Sequence, residues 1–191
     1  MKANILLAAL LATASVAAQA APKDESIGPY AGAEIGRSNF SLSSSLPVTA
    51  SDRSGNALKI FGGYNFDQNF GAELGYTRFG SFSETATVGA VATKQDGSAR
   101  SFYGVGTARA NLTESFGVHG RAGISFGKVS GTNVLPAAND LTGTKRSLLV
   151  GFGADFRVAP NITLTADYDH YGKLSNNVKA NTFMVGARVN F

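Results

Sequence analysis

Residues 183–191 alternate without a break. Phe183, Val185, Ala187, Val189 and Phe191 fall on one face of an extended strand, and Met184, Gly186, Arg188 and Asn190 on the other. An apolar stripe at period two, turned away from an arginine, is the pattern of a strand that spans a membrane. The same alternation predicts seven further strands, giving eight near 29–40, 56–66, 70–82, 99–111, 115–128, 144–158, 162–172 and 180–191. Three tight turns, Asp67-Gln68-Asn69, Leu112-Thr113-Glu114 and Ala159-Pro160-Asn161, lie between apolar-alternating stretches and carry turn chemistry. Four polar stretches, about 41–54, 83–97, 129–143 and 173–179, read as longer loops.

One face of every strand is apolar. It holds Ile35, Leu58, Ile60, Leu74, Phe102, Ile124, Leu148, Phe152, Leu164 and Val185, among others, and no charge interrupts these apolar stretches. The opposite face holds Glu34, Lys59, Glu73, Arg109, His119, Arg121, Asp155, Arg157, Asp167, Asp169 and Arg188, with many glycines between. Alternation alone fits a water-soluble barrel equally well, with the apolar face inward. Two features favour apolar outside. Aromatics cluster near both ends of the apolar face, as interfacial girdles do: Phe66, Phe70, Phe116, Phe156 and Phe191 at one end, Tyr76, Phe102, Phe126, Tyr168 and Phe183 at the other. A polar face on open water has no use for so many strand-weakening glycines, whereas a narrow lumen needs small residues beside long charged ones. Short turns on one side, long loops on the other and an even strand count then predict an all-β, eight-stranded antiparallel up-and-down transmembrane β-barrel. Closure removes the unpaired edges that a bilayer does not tolerate.

Lys2, the apolar run Ile5–Ala14 and Ala18-Gln19-Ala20 have the order of a signal peptide. Residues 1–20 are therefore read as the signal, with cleavage near Ala20, and residues 21–191 as one outer-membrane barrel domain. Cleavage removes Lys2 and takes the net charge from +4 to +3. The charges are scattered, so no nucleic-acid partner is expected. Without cysteine there is no disulfide framework and no thiolate metal site. No phosphate-binding loop and no spaced His/Asp/Glu cluster is present either, so neither cofactor nor metal is expected.

Several segments resemble the eight-stranded membrane domain of the OmpA family. They are Ala21-Pro22-Lys23-Asp24, Tyr30-Ala31-Gly32-Ala33-Glu34-Ile35-Gly36, Phe61-Gly62-Gly63-Tyr64 and Gly71-Ala72-Glu73-Leu74-Gly75-Tyr76. The closing Phe191 is similar to the C-terminal signal read by the outer-membrane assembly machinery. The resemblance implies an address in the outer membrane of a Gram-negative cell. It departs from the family in three ways. Full-length members carry a periplasmic domain that grips peptidoglycan, and with the chain ending at Phe191 no cell-wall tether is expected. Tryptophan is absent, leaving Phe and Tyr as anchors. Thr165 stands where the family pattern has an inward arginine on the seventh strand.

Two constellations carry candidate chemistry. Glu34, Lys59, Glu73, Arg109, Arg121, Asp155, Asp167 and Arg188 form an inward charge network, in which Glu73 and Arg109, at similar heights above their turns, could pair directly. In a barrel this narrow, interspersed charges read as a neutralised plug rather than a water path. Arg37, Arg78, Arg100, Lys128 and Arg146 share lipid-facing parity at the loop ends of their strands. There they would meet lipopolysaccharide phosphates or simply be solvated beyond the bilayer. Catalysis is not expected: Asp169-His170-Tyr171-Gly172 has only a faint likeness to a lipid A deacylase motif, with glycine in the serine position. The reading is a monomeric, structural outer-membrane barrel. A narrow ion or solute pore, and an adhesin or receptor acting through the loops, remain alternatives.

Overall fold

The computed structural model describes residues 27–42, 48–52, 54–88, 91–131, 142–175 and 178–191. The expected signal peptide lies outside them. Nine strand segments appear among the described residues: β1 (Gly28–Leu42), β2 (Val48–Asp52), β3 (Ser54–Asn65), β4 (Phe70–Val88), β5 (Val91–Asn111), β6 (Phe116–Gly131), β7 (Gly143–Ala159), β8 (Ile162–Lys173) and β9 (Val178–Asn190). β2 and β3 both pair with β4 and lie end to end, so they form one stave. Each stave is antiparallel to the next, and β1 closes the sheet on β9 from Tyr30↔Asn190 to Leu42↔Val178. The result is a closed, eight-staved antiparallel barrel.

Exposure settles which face is outside. Leu74, Phe152 and Ile35 are 71%, 65% and 64% exposed, whereas Lys59 is wholly buried and Glu34 nearly so. The apolar face looks out and the charged face looks in. A globular protein in water has the reverse arrangement, so lipid is the solvent this surface fits.

The tight turns are held by their own side chains. Asp67 accepts from the backbone N–H of Asn69 and Phe70, both at 2.7 Å. Thr113 Oγ1 does the same for Ser115 and Phe116. These are the local bonds that make Asp and Thr turn formers. The C-terminus is tied down too, with Phe191 N–H donating to Pro29 O at 3.0 Å.

Two expected loops prove to be largely strand. The stretch 83–97 continues β4 and β5 as a hairpin ladder from Ser83↔Asp96 to Val88↔Val91. Within 41–54, β1 runs on to Leu42 and β2 occupies Val48–Asp52. Polar composition does not end a strand there, because β-branched residues such as Thr85, Thr87, Val88 and Val91 favour extended backbone. A bulge between Arg78 and Ser81 shifts the β4–β5 register. Gly80 sits in it at φ +79, in the left-handed region that glycine adopts without strain.

Candidate functional site

The barrel interior has two tiers. Toward the turns lies the charge network, built because successive inward residues of each stave converge on one narrow axis. Lys59 Nζ, on β3, stands 2.6 Å from Glu34 Oε2, 2.9 Å from Asp167 Oδ2 and 3.1 Å from Asp169 Oδ2. Arg121, on β6, also engages Asp167, and reaches Glu73 at 3.3 Å and Asp169 at 3.4 Å. His119 lies between Asp155 Oδ1, 3.2 Å from Nδ1, and Asp167 Oδ1, 2.9 Å from Nε2. Nearer the turns, Arg109 Nε donates to Asp155 at 2.8 Å, and Arg188 comes within 3.7 Å of the same carboxylate.

Small residues make room for this cluster. Tyr30 is opposite Gly63, Tyr103 opposite Gly75, Arg121 opposite Gly151 and His119 opposite Gly153. Each large inward side chain therefore spreads over a strand position that has none.

The expected Glu73–Arg109 pair does not form. The ladder puts Glu73 opposite Val105, and Arg109 N–H instead bonds Asn69 O at the turn. Heights counted from different turns are not comparable, because a closed barrel staggers its strands. Glu73 takes Arg121 instead, together with the hydroxyls of Tyr103 (2.9 Å) and Tyr30 (3.1 Å). Thr165 faces inward and donates to Glu34 at 3.0 Å. Arg157, placed on the inward face by its parity, is exposed at the turn-end rim. Open space at that rim, among Arg109, Asp155 and Arg188, is only about 20 Å³, enough for roughly one or two water molecules.

The upper tier was not expected. Phe40, Phe79, Leu149, Tyr171, Leu174 and Val178 are buried inside the loop end of the barrel. Phe79 meets Tyr171 edge-on at 4.7 Å and Phe40 at 6.3 Å. The Tyr171 hydroxyl is satisfied by Thr77 at 2.7 Å. Leu174 belongs to the β8–β9 connection and folds back into the mouth, its N–H on Val178 O at 2.8 Å. An apolar cork therefore caps the charged tier. Its signal was in the sequence: Phe40, Phe79, Leu149 and Tyr171 share strand parity with Glu34, Glu73, Asp155 and Asp167.

Outside, Arg37, Arg78, Arg100, Lys128 and Arg146 are all exposed at the loop end. The Arg146 guanidinium lies 5.5 Å from the Phe126 ring centroid. His170 also faces outward, held at 2.5 Å by Asn181 Oδ1.

A closed barrel with an apolar exterior and a charged, filled interior defines a transmembrane β-barrel of the outer-membrane type. The chain belongs to the family described as the outer membrane protein beta-barrel domain, whose model matches residues 6–191. Among solved structures it is similar to Neisserial surface protein A, at 20% identity over 86% of this chain and 97% of that one, with a TM-score of 0.60. It is similar to OprG from Pseudomonas aeruginosa, at 14% identity over 87% and 97%, with a TM-score of 0.61. It is also similar to Ail of Yersinia pestis, solved with the heparin analogue sucrose octasulfate, at 18% identity over 86% and 100%, with a TM-score of 0.52. At these identities the likeness is one of fold. No curated protein matches the sequence.

Proposed function

We propose that this outer-membrane barrel is a sealed structural element of the Gram-negative envelope, monomeric and without catalysis. The observation that carries the reading is the double closure of the lumen. The charged tier is filled by mutually paired groups, and the cork of Phe79, Tyr171, Leu149 and Leu174 covers it. Buried charges held in pairs and shielded from water favour a plug over a path. The narrow rim space supports the same choice against the pore alternative. Residues 1–20 act as the signal peptide and Phe191 as the mark read by the assembly machinery. The exposed cations Arg37, Arg78, Arg100, Lys128 and Arg146 contact lipopolysaccharide phosphates, adding charge-assisted bonds at the leaflet surface.

A structural role has a cellular readout. Deleting the gene is expected to sensitise cells to detergent and to large hydrophobic antibiotics, with resistance restored by the wild-type chain. Unchanged sensitivity in the deletion strain would contradict an envelope role. It would shift attention to loop-borne adhesion, assayed by swapping the loops onto an unrelated barrel.

A further inference from the structure

The basic residues at the loop end are not spread evenly around the barrel. Arg78, Arg100, Lys128 and Arg146 stand on the consecutive staves β4, β5, β6 and β7, and Arg37 lies apart on β1. Ladder register sets Arg78 directly opposite Arg100, and Arg100 directly opposite Lys128. With neighbouring strands about 4.8 Å apart, three positive charges share a span of roughly 10 Å. The outer partners of this row are Leu58 and Thr144, so no carboxylate stands in it. Like charges directly opposite one another destabilise a sheet. An anion laid across the row reverses that sign.

The rows on either side complete a surface. One step toward the turns, Tyr76, Phe102 and Phe126 face one another across the same three staves, with the Tyr76 and Phe102 ring centroids 4.8 Å apart. The next row is Leu74, Gly104 and Ile124, flanked by Gly62. Gly62 and Gly104 have no side chain, which leaves an open apolar groove walled by Ile60, Leu74, Phe102 and Phe126. On the loop side of the cations, Ser81, Ser98 and Ser130 line up, all exposed. Tyr76 lines both the apolar groove and a polar cleft formed with Arg78, Arg100, Ser98 and Ser130, so the two adjoin at its ring. Among the described residues the other side of the barrel has no row of three opposed cations: above the Tyr168–Phe183 pair on β8 and β9 stand His170 and Asn181, and above them only the pair Lys173 and Lys179.

We propose that the β4–β6 face is a binding site for one phosphorylated glycolipid of the outer leaflet. Phosphate lies across Arg78, Arg100 and Lys128, sugar hydroxyls meet the serine row, and an acyl chain fills the groove over Gly62 and Gly104. The order of chemistry along the strands, from hydroxyl through cation and aromatic to apolar, matches the order of sugar, phosphate, interface and chain in such a lipid. This rests on the proposed lipopolysaccharide contacts and narrows them from a belt to one face.

The test uses the refolded chain in detergent micelles, titrated with bisphosphorylated lipid A, dephosphorylated lipid A and phosphatidylglycerol. Bound lipid is counted by native mass spectrometry. One bisphosphorylated lipid A is expected per barrel, in preference to both other lipids. Arg78→Gln/Arg100→Gln/Lys128→Gln is expected to weaken it by about tenfold or more, the scale of a lost charged hydrogen bond. Gly104→Leu fills the groove without touching a charge and is expected to weaken it severalfold, while Lys179→Gln, exposed on β9 across the barrel, leaves it unchanged. Each variant is scored on protein that keeps its heat-modifiable folded band. Equal weakening by Lys179→Gln, or equal binding of the dephosphorylated lipid, would overturn the site. Either result would leave the sealed-barrel reading standing, since that reading fails through conductance instead.

Discussion

Lys59→Met is expected to destabilise the refolded barrel by about 3–5 kcal/mol, the usual cost of removing one partner of a buried ion group. Lys59 is wholly buried and holds Glu34, Asp167 and Asp169 within 3.1 Å. Without it three carboxylates face one another, with Arg121 still close to Asp167 and Asp169 and His119 close to Asp167. Urea unfolding in lipid vesicles, followed by the heat-dependent shift on gels, measures the loss. Adding Asp167→Asn should recover part of it, because the two side chains are in contact and their effects are not additive. A loss below about 1 kcal/mol, typical of exposed pairs, would mean that water reaches the cluster and that the interior is not closed.

The closing seam is the second place where a small change has a large effect. Gly36 on β1 faces Met184 on β9, and Gly186 on β9 faces Glu34 on β1. A Cβ on Gly36 would overlap the backbone carbonyl of Phe183, and one on Gly186 would overlap that of Ala33. The obstacle in both cases is the partner strand's own backbone, which cannot swing aside as a side-chain tip does. Gly36→Val and Gly186→Val are therefore expected to abolish most of the folded, heat-modifiable form, because an unclosed sheet leaves unsatisfied edges in lipid. Gly62→Ala is the control: its added Cβ meets only Tyr30 O, at an ordinary 3.5 Å. That variant should fold with near-wild-type yield. Normal folding of both valine variants would show that β1 and β9 approach one another less closely than described.

The strands were legible because lipid imposes a strict period of two, and each tight turn carries its own signal in Asp67, Thr113 or Pro160. The outward face was legible for the same reason. Loop lengths were not, since the polar run 83–97 continues β4 and β5 as a hairpin ladder, so polarity does not mark the end of a strand there. Membership of the charged cluster followed from parity, but its pairing did not. Whether Glu73 meets Arg109 or Arg121 depends on stagger, which is set by closure over the whole barrel. The cork was overlooked for a different reason. Phe79 and Tyr171 are apolar residues on a face otherwise marked by charge and glycine, and only the three-dimensional convergence of β4, β8 and the β8–β9 connection turns them into one plug.

Single-channel recording tests the sealed interior most directly. The refolded wild-type barrel is inserted into a planar bilayer, with insertion confirmed independently, and current is followed across a range of voltages. The expected result is a silent membrane, as the proposed plug of paired charge at one end and apolar packing at the other predicts. Steady, reproducible openings that change with Glu73→Ala would contradict the account and make the buried charges a conduction path.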